Sequence, residues 1–176
     1  MTSKGLNNKL TGQVGEYLVC AELGLRGFLS TPFAGNVPEF DLVIADRNLN
    51  TLPIQVKTVT FGGALRSKAT DWLNIEIDHI NKCQIDHGDA EVSNPGLIYV
   101  LVMLRKEEND NHRFFIFTKK NLKQVCAEGY RRYMERHNWK RPRNYESLDC
   151  SPTAMEFQQF ENNWDLIEQQ IRCKAL

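Results

Sequence analysis

An α/β domain is predicted, and three observations predict it. Apolar residues recur at helical spacing over residues 10–26, apolar and polar residues alternate over 28–58, and the helical period returns over the last third of the chain. The expected order is a helix, three strands, a glycine-rich loop, a further strand with a short helix, two strands and two helices. At 176 residues the chain is expected to form one domain, 1–176. A domain of that size buries about 70% of its unfolded surface and needs no disulfide or metal staple.

The first helix is expected from Leu10 to Arg26, with Thr11 near its N-cap and Gly27 as its stop. Leu10, Val14, Tyr17, Leu18, Ala21 and Leu25 form its main apolar stripe. A second lane, Gly12, Glu16, Val19, Cys20 and Leu23, is small or apolar except for one carboxylate. The helix is therefore expected to be covered on both sides, with Glu16 beside a cation, because an unpaired buried charge is costly. Residues 28–33 fit a first strand. Phe40, Leu42 and Ile44 then alternate with Asp41, Val43 and Ala45, and after the turn residues DRNLNT the alternation resumes from Leu52 to Thr58.

This is a hairpin signature. With the turn centred on Asn48, residues whose numbers sum to 96 oppose one another, so Asp41 faces Gln55 and Lys57 shares the face of Gln55. Three polar groups converge on one patch of sheet. Plainer readings are a cross-strand ion pair of Asp41 with Lys57, and a salt bridge from Glu16 to an arginine or lysine.

Further on, FGGALRSKAT reads as a basic loop, Leu73, Ile75 and Ile77 as an edge strand, and residues 78–87 as a short helix. GLIYVLVML is a buried strand with RFFIF as its neighbour. Thr118 caps a helix carrying Leu122, Val125, Cys126, Tyr130, Tyr133 and Met134. Ser151 and Pro152 open a last helix whose Phe157, Phe160, Trp164, Ile167 and Ile171 form one core stripe.

Composition excludes several classes. No apolar run approaches the roughly 18–20 residues of a membrane span, and MTSKGLNNKL lacks the apolar centre of a signal peptide, so a cytoplasmic protein without a membrane partner is expected. Five dispersed cysteines with no C-x-x-C pair suggest reduced, mostly buried thiols. No G-x-S-x-G, H-E-x-x-H or P-loop is present, and His87 with Asp89 reads as part of a hydrophilic loop rather than a metal pair. The formal charge is zero, yet residues 113–143 hold ten basic and two acidic side chains. That asymmetry fits a polyanion-binding face or, more plainly, a solvated helix balanced by the acidic tail.

The helix GQVGEYLVCAELGLRGF, the strand VPEFDLVIA and the strand LPIQVKT, in that order, resemble the PD-(D/E)XK nuclease superfamily, in particular its Holliday junction resolvase-like and Mrr-like endonucleases. The resemblance spans residues 10–58 and implies a restriction-endonuclease-like αβββαβ core: a mixed central sheet flanked by helices, with C-terminal helices added. It further implies Mg²⁺-dependent, or Mn²⁺-dependent, hydrolysis of DNA phosphodiester bonds, with RNA left open as a substrate and a homodimer as the form that cuts both strands.

By that resemblance Asp41 is the principal metal ligand, Gln55 a neutral ligand or orienter, and Glu16 a ligand directly or through water. Lys57 positions and deprotonates the attacking water or stabilises phosphate charge. Glu39, two residues before Asp41, shares its face by strand spacing and is expected to support the site from farther out. Gln55 departs from the commoner acidic residue, in the manner of the Q-x-K variant. An amide oxygen ligates without charge, so Mg²⁺ would be held more weakly. The alternative is a catalytically inactive nuclease-fold protein acting as a nucleic-acid-binding or regulatory module. Candidate phosphate contacts are Arg66 and Lys68 in the glycine-rich loop and Lys140, Arg141 and Arg143 in the basic quarter, where Trp139 and Tyr145 offer stacking surfaces.

Overall fold

The five-stranded sheet at the centre of the molecule is mixed, as the resemblance implies. In this computed structural model residues 8–33 and 39–173 are described. Val37 and Pro38, which open the aspartate motif, lie outside them. The chain runs α1 (Asn8–Leu25), β1 (Leu29–Pro32), β2 (Leu42–Ala45), β3 (Thr51–Val59), β4 (Ser67–Lys68), β5 (Leu73–Asp78), β6 (Cys83–Asp89), β7 (Ile98–Met103), β8 (Arg113–Thr118), α2 (Lys119–Arg136), β9 (Asp149–Cys150) and α3 (Asp165–Cys173). Short 3₁₀ turns cover Ala69–Asp71 and Ala154–Phe160. The main sheet has the order β1-β2-β3-β7-β8, with β3 and β7 parallel and the other pairs antiparallel. No described helix is long and apolar enough to cross a membrane.

Period-two alternation gives each face its own core. Leu42, Ile44, Ile54, Val56, Ile98 and Val100 meet Val19 and Leu23 of α1 and Ile167 and Ile171 of α3. On the other face Val59, Leu101, Met103, Phe115 and Phe117 lie under Leu122, Cys126, Tyr130 and Met134 of α2. Strand β7 contributes to both cores, which is why its sequence is an unbroken apolar run. Helix α2 starts at the predicted cap: Thr118 accepts from the Asn121 N–H, and Asn121 Oδ1 accepts from the Thr118 N–H at 3.0 Å.

Several expectations need correction. Helix α1 buries Thr11, Gly15, Val19 and Leu23, whereas Tyr17 and Leu25 of the expected main stripe are 56% and 83% exposed. The helix approaches the sheet at Gly15, where an added Cβ would lie 1.8 Å from Thr58 Oγ1. Only the lane containing that small residue allows so close a seat. Thr11 is accordingly a buried residue inside the helix rather than its cap, while Gly27 stops it as expected with φ +86°.

Residues 78–87, expected to form a short helix, instead end β5 and turn into its antiparallel partner β6. Its inward residues are polar, which hides them from a hydrophobic pattern. Gln84, almost wholly buried, accepts from Tyr130 OH at 2.5 Å and donates to the Tyr145 and Ser147 carbonyls, and Asp86 holds Arg131 at 2.6 Å. His87 and Asp89 are thus on a strand, engaged by Glu76 at 2.7 Å and by Lys123 and Arg131.

The last predicted helix is two elements. Its 3₁₀ part puts Phe157 in the α2-side core, and α3 puts Ile167 in the opposite one. Between them the chain passes the free edge of β8, held by an Arg113–Glu161 double hydrogen bond at 2.6 Å and by the Asn162 N–H on the Phe114 carbonyl. The single stripe of aromatic and aliphatic residues therefore serves both faces of the sheet. Of the five cysteines, all unbridged, Cys126 and Cys150 are buried, Cys20 and Cys83 are half-buried and Cys173 is exposed, so fewer are buried than expected.

Candidate active site

The β2–β3 hairpin places the site. Asp46 ties its turn: Oδ1 accepts the N–H groups of Asn48 and Asn50, and Oδ2 accepts from Asn50 Nδ2, all at 2.9 Å. These bonds hold the Asp46 carboxyl below the usual carboxylate range. The register that results pairs Leu42 with Ile54 and Ile44 with Leu52, the sum of 96 expected from the sequence. It extends past the strand end, where the Asp41 N–H donates to the Ile54 carbonyl at 2.9 Å.

Asp41 is thereby set against Gln55. Its Oδ2 accepts the Val56 backbone N–H at 2.8 Å and a bond from Gln55 Nε2. Gln55 is 7% exposed, so its amide is held in place rather than swept through solvent. Lys57, two residues on, lies on the same face with its side chain exposed. Among the described residues neither Asp41, Lys57 nor Glu16 forms an ion pair, so neither plain salt-bridge reading is realised.

Glu16 joins them from α1. Its carboxyl is pushed above the ordinary glutamate value by burial first and then by the negative charge of Asp41, while the Lys57 ammonium pulls it back. Ionised Glu16 and Asp41 thus share one field, which the Lys57 ammonium partly offsets. The sign of the pH effect follows: the contribution of Glu16 to stability is complete below its ordinary value of 4.5 and is lost as pH rises through the raised one. Glu16→Gln, which cannot ionise, is expected to melt above the wild type near pH 8 and together with it near pH 4, as read by thermal denaturation at the two pH values.

Tyr99 is a site residue the sequence does not announce. The parallel register of β3 and β7 sets it beside Gln55, its ring stacks on Phe117 at 6.2 Å, and burial together with the charges of Asp41 and Glu39 pushes its hydroxyl pKa up. The available signal was that Tyr99 carries the one polar side-chain group of GLIYVLVML, but its place beside Gln55 depends on a long-range pairing. Glu39 sits at φ +78° with its carboxylate accepting from Asn94 Nδ2 at 2.7 Å.

The candidate phosphate contacts divide. Arg66 lines the two clefts that also contain Lys57, and Lys119 lines one of them. Lys68 is exposed on β4, opposite Asp149 of β9. Lys140 and Arg143 are exposed on the loop after α2, which packs on the β5–β6 hairpin and lines neither cleft. Arg141 is committed to the fold: it bonds Ser147 Oγ at 2.8 Å and the Asp149 carbonyl at 2.5 Å, and lies over the rings of Tyr130 and Tyr133. Much of the basic quarter is neutralised in the same way, Arg131 and Lys123 by Asp86 and Asp89 and Arg113 by Glu161.

The donor set is two carboxylates and an amide. Among the described residues no group of three or more His, Cys, Asp or Glu side chains is placed to hold a metal ion.

No protein-family model matches the sequence, and no curated protein matches it. The fold, a five-stranded mixed sheet between helices, is of the endonuclease-like α/β class. A solved structure with this fold is that of a bacterial homing endonuclease, I-Ssp6803I, which matches with a TM-score of 0.53 at 14% identity over 97% of this chain and 99% of that one. At that identity the likeness shows the fold.

Proposed function

We propose that the chain is a divalent-metal-dependent endonuclease that hydrolyses DNA phosphodiester bonds, with Mg²⁺ or Mn²⁺ as the ion. The observation that carries this reading is the convergence of Asp41, Gln55 and Lys57 from one hairpin with Glu16 from α1, on a sheet of endonuclease-like fold. The residues fit the ion: two carboxylates repel one another across a half-buried site with no ion-pair partner among the described residues, and hard divalent cations take such oxygens. Asp41 and Glu16 would hold it. When bound, the ion would polarise a phosphoryl oxygen and acidify its water.

The chain's own groups supply the rest. The Val56 N–H and the Gln55 amide orient Asp41, and the exposed Lys57 ammonium offsets negative charge that develops on the phosphate. Arg66, beside it, takes a neighbouring phosphate, with Lys68, Lys140 and Arg143 as outer contacts. Severing both strands calls for two copies related by a two-fold axis. Gln55 presents its N–H to Asp41, so it orients the carboxylate; half a turn of the amide would offer its oxygen instead. That orientation is also what favours the second reading, a nuclease fold that binds nucleic acid without turnover.

One experiment separates the two. Supercoiled plasmid is incubated with the protein in Mg²⁺, Mn²⁺ or EDTA while its melting temperature is followed with metal. The enzyme reading expects metal-dependent nicking or linearisation and a rise of about 3 °C at ten times the metal Kd. Salt-sensitive DNA binding with neither effect selects the binding module.

A further inference from the structure

Lys57 does not only border the carboxylates. It also forms one wall of a cleft of about 450 Å³ that runs from β3 toward the start of α2, between the segment carrying Arg66 and Trp72 and the segment carrying Ser93. We propose that this cleft is a pocket for a single unpaired nucleotide next to the phosphate that is cut, so that the substrate is single-stranded DNA or DNA with a base out of its stack. The inference rests on the endonuclease reading for its phosphate and goes beyond it in naming the form of the DNA.

Size is the first argument. Clefts of roughly 300–1,000 Å³ take small ligands, which suits one nucleoside and leaves no room for a duplex. Chemistry is the second. Tyr99, braced by Phe117, and the largely buried Trp72, whose Nε1–H is held by Ser67 Oγ at 2.6 Å, give the pocket aromatic walls fixed in place. Lys57, Arg66 and Lys119 set three cations at its rim, Lys119 within 3.2 Å of Ser93 Oγ. Aromatic faces with flanking cations are how proteins hold a stacked base and its backbone. Two acids also line the cleft: Asp71, whose carboxylate already accepts from Ser67 and from the Lys68 N–H, and the exposed Glu91, an acceptor for an exocyclic amine. Position is the third. Because Lys57 belongs to both places, a strand whose phosphate meets it has its next base at the pocket mouth.

The test uses a single-stranded DNA pentamer with 2-aminopurine at its centre, titrated in EDTA so that nothing is cut, beside a 12-base-pair duplex. Wild-type protein is expected to quench the probe. Ser93→Trp, which fills the pocket from an exposed rim position, is expected to bind the pentamer about ten-fold more weakly with duplex binding unchanged. Tyr99→Leu, checked for folding by circular dichroism, is expected to abolish the quench. An unquenched wild-type complex, or unaltered pentamer binding by Ser93→Trp, overturns the pocket. Cleavage is scored separately in Mg²⁺. Duplex cutting without probe quenching would keep the endonuclease and remove the pocket, whereas quenching without any cutting would keep the pocket and remove the endonuclease.

Discussion

Asp41→Asn is expected to lower DNA cleavage by at least about 1,000-fold while leaving the fold intact, because it removes the charge of the principal acid but not its shape. The choice of variant matters. Asp41 does structural work as well, accepting the Val56 N–H at 2.8 Å and the Gln55 amide. In Asp41→Ala the Val56 N–H loses this acceptor, at about 1–3 kcal/mol where it is buried, and the Gln55 amide is left with only a long bond to the Val56 carbonyl at 3.4 Å. A dead alanine variant would confuse chemistry with an unlatched hairpin.

Both donors meet the same oxygen, so asparagine with its side-chain oxygen in the place of Oδ2 keeps the bonds from Val56 and Gln55 and sets its N–H₂ where the other carboxylate oxygen stood. Stability is then expected within about 1 kcal/mol of wild type, as read by chemical denaturation. Lys57→Ala carries no such complication, since its exposed side chain makes no ion pair among the described residues. Undiminished cleavage by Asp41→Asn would remove Asp41 from the chemistry and the endonuclease proposal with it.

The hairpin was legible because its information is local. Turn residues 46–50 fix where the chain reverses, alternation fixes which side chains share a face, and together they set Asp41 against Gln55 without any knowledge of the rest of the fold. Where tertiary context decides, the sequence is ambiguous. Helix α1 carries two lanes of small or apolar residues, and hydrophobicity favours the one whose Tyr17 and Leu25 end up exposed and whose Val14 and Leu18 are only partly buried. Strand β6 faces its partners with Gln84 and Asp86, whose burial is compensated by bonds to Tyr130, Arg131 and a distant loop. Tyr99 enters the site through a parallel pairing of strands some forty residues apart in sequence. The break between the 3₁₀ turn and α3 does have a local signal, the Asn162-Asn163 pair, with Asn162 at φ +54°.

The second large effect concerns the seat of α1. Gly15→Ala is expected to destabilise the protein by about 1–3 kcal/mol, although the same exchange in an isolated helix would favour it by about 1 kcal/mol. The new Cβ would stand 1.8 Å from Thr58 Oγ1, 2.9 Å from Thr58 Cβ and 3.0 Å from Thr58 Cγ2. Rotating Thr58 cannot clear the clash fully, since its own Cβ stays 2.9 Å away whatever the rotamer, so the helix must withdraw from the sheet. Withdrawal loosens Val19 and Leu23, both fully buried, and carries Glu16, the residue after Gly15, away from Asp41.

The expected readout is therefore double: a melting temperature lower by about 3–10 °C and a loss of cleavage larger than the stability change explains. Adding Thr58→Ala removes the two atoms that can be removed, and at little cost, because Thr58 Oγ1 is buried without a hydrogen-bond partner. The double variant is expected to recover more than half of both losses. If Gly15→Ala instead melts with the wild type, close approach at Gly15 is not what seats the helix. The choice of buried lane, and with it the delivery of Glu16 to the site, would then need another cause. If Thr58→Ala restores stability but not cleavage, the fold tolerates a shifted helix and the chemistry does not, which would tie activity to the position of the α1 carboxylate.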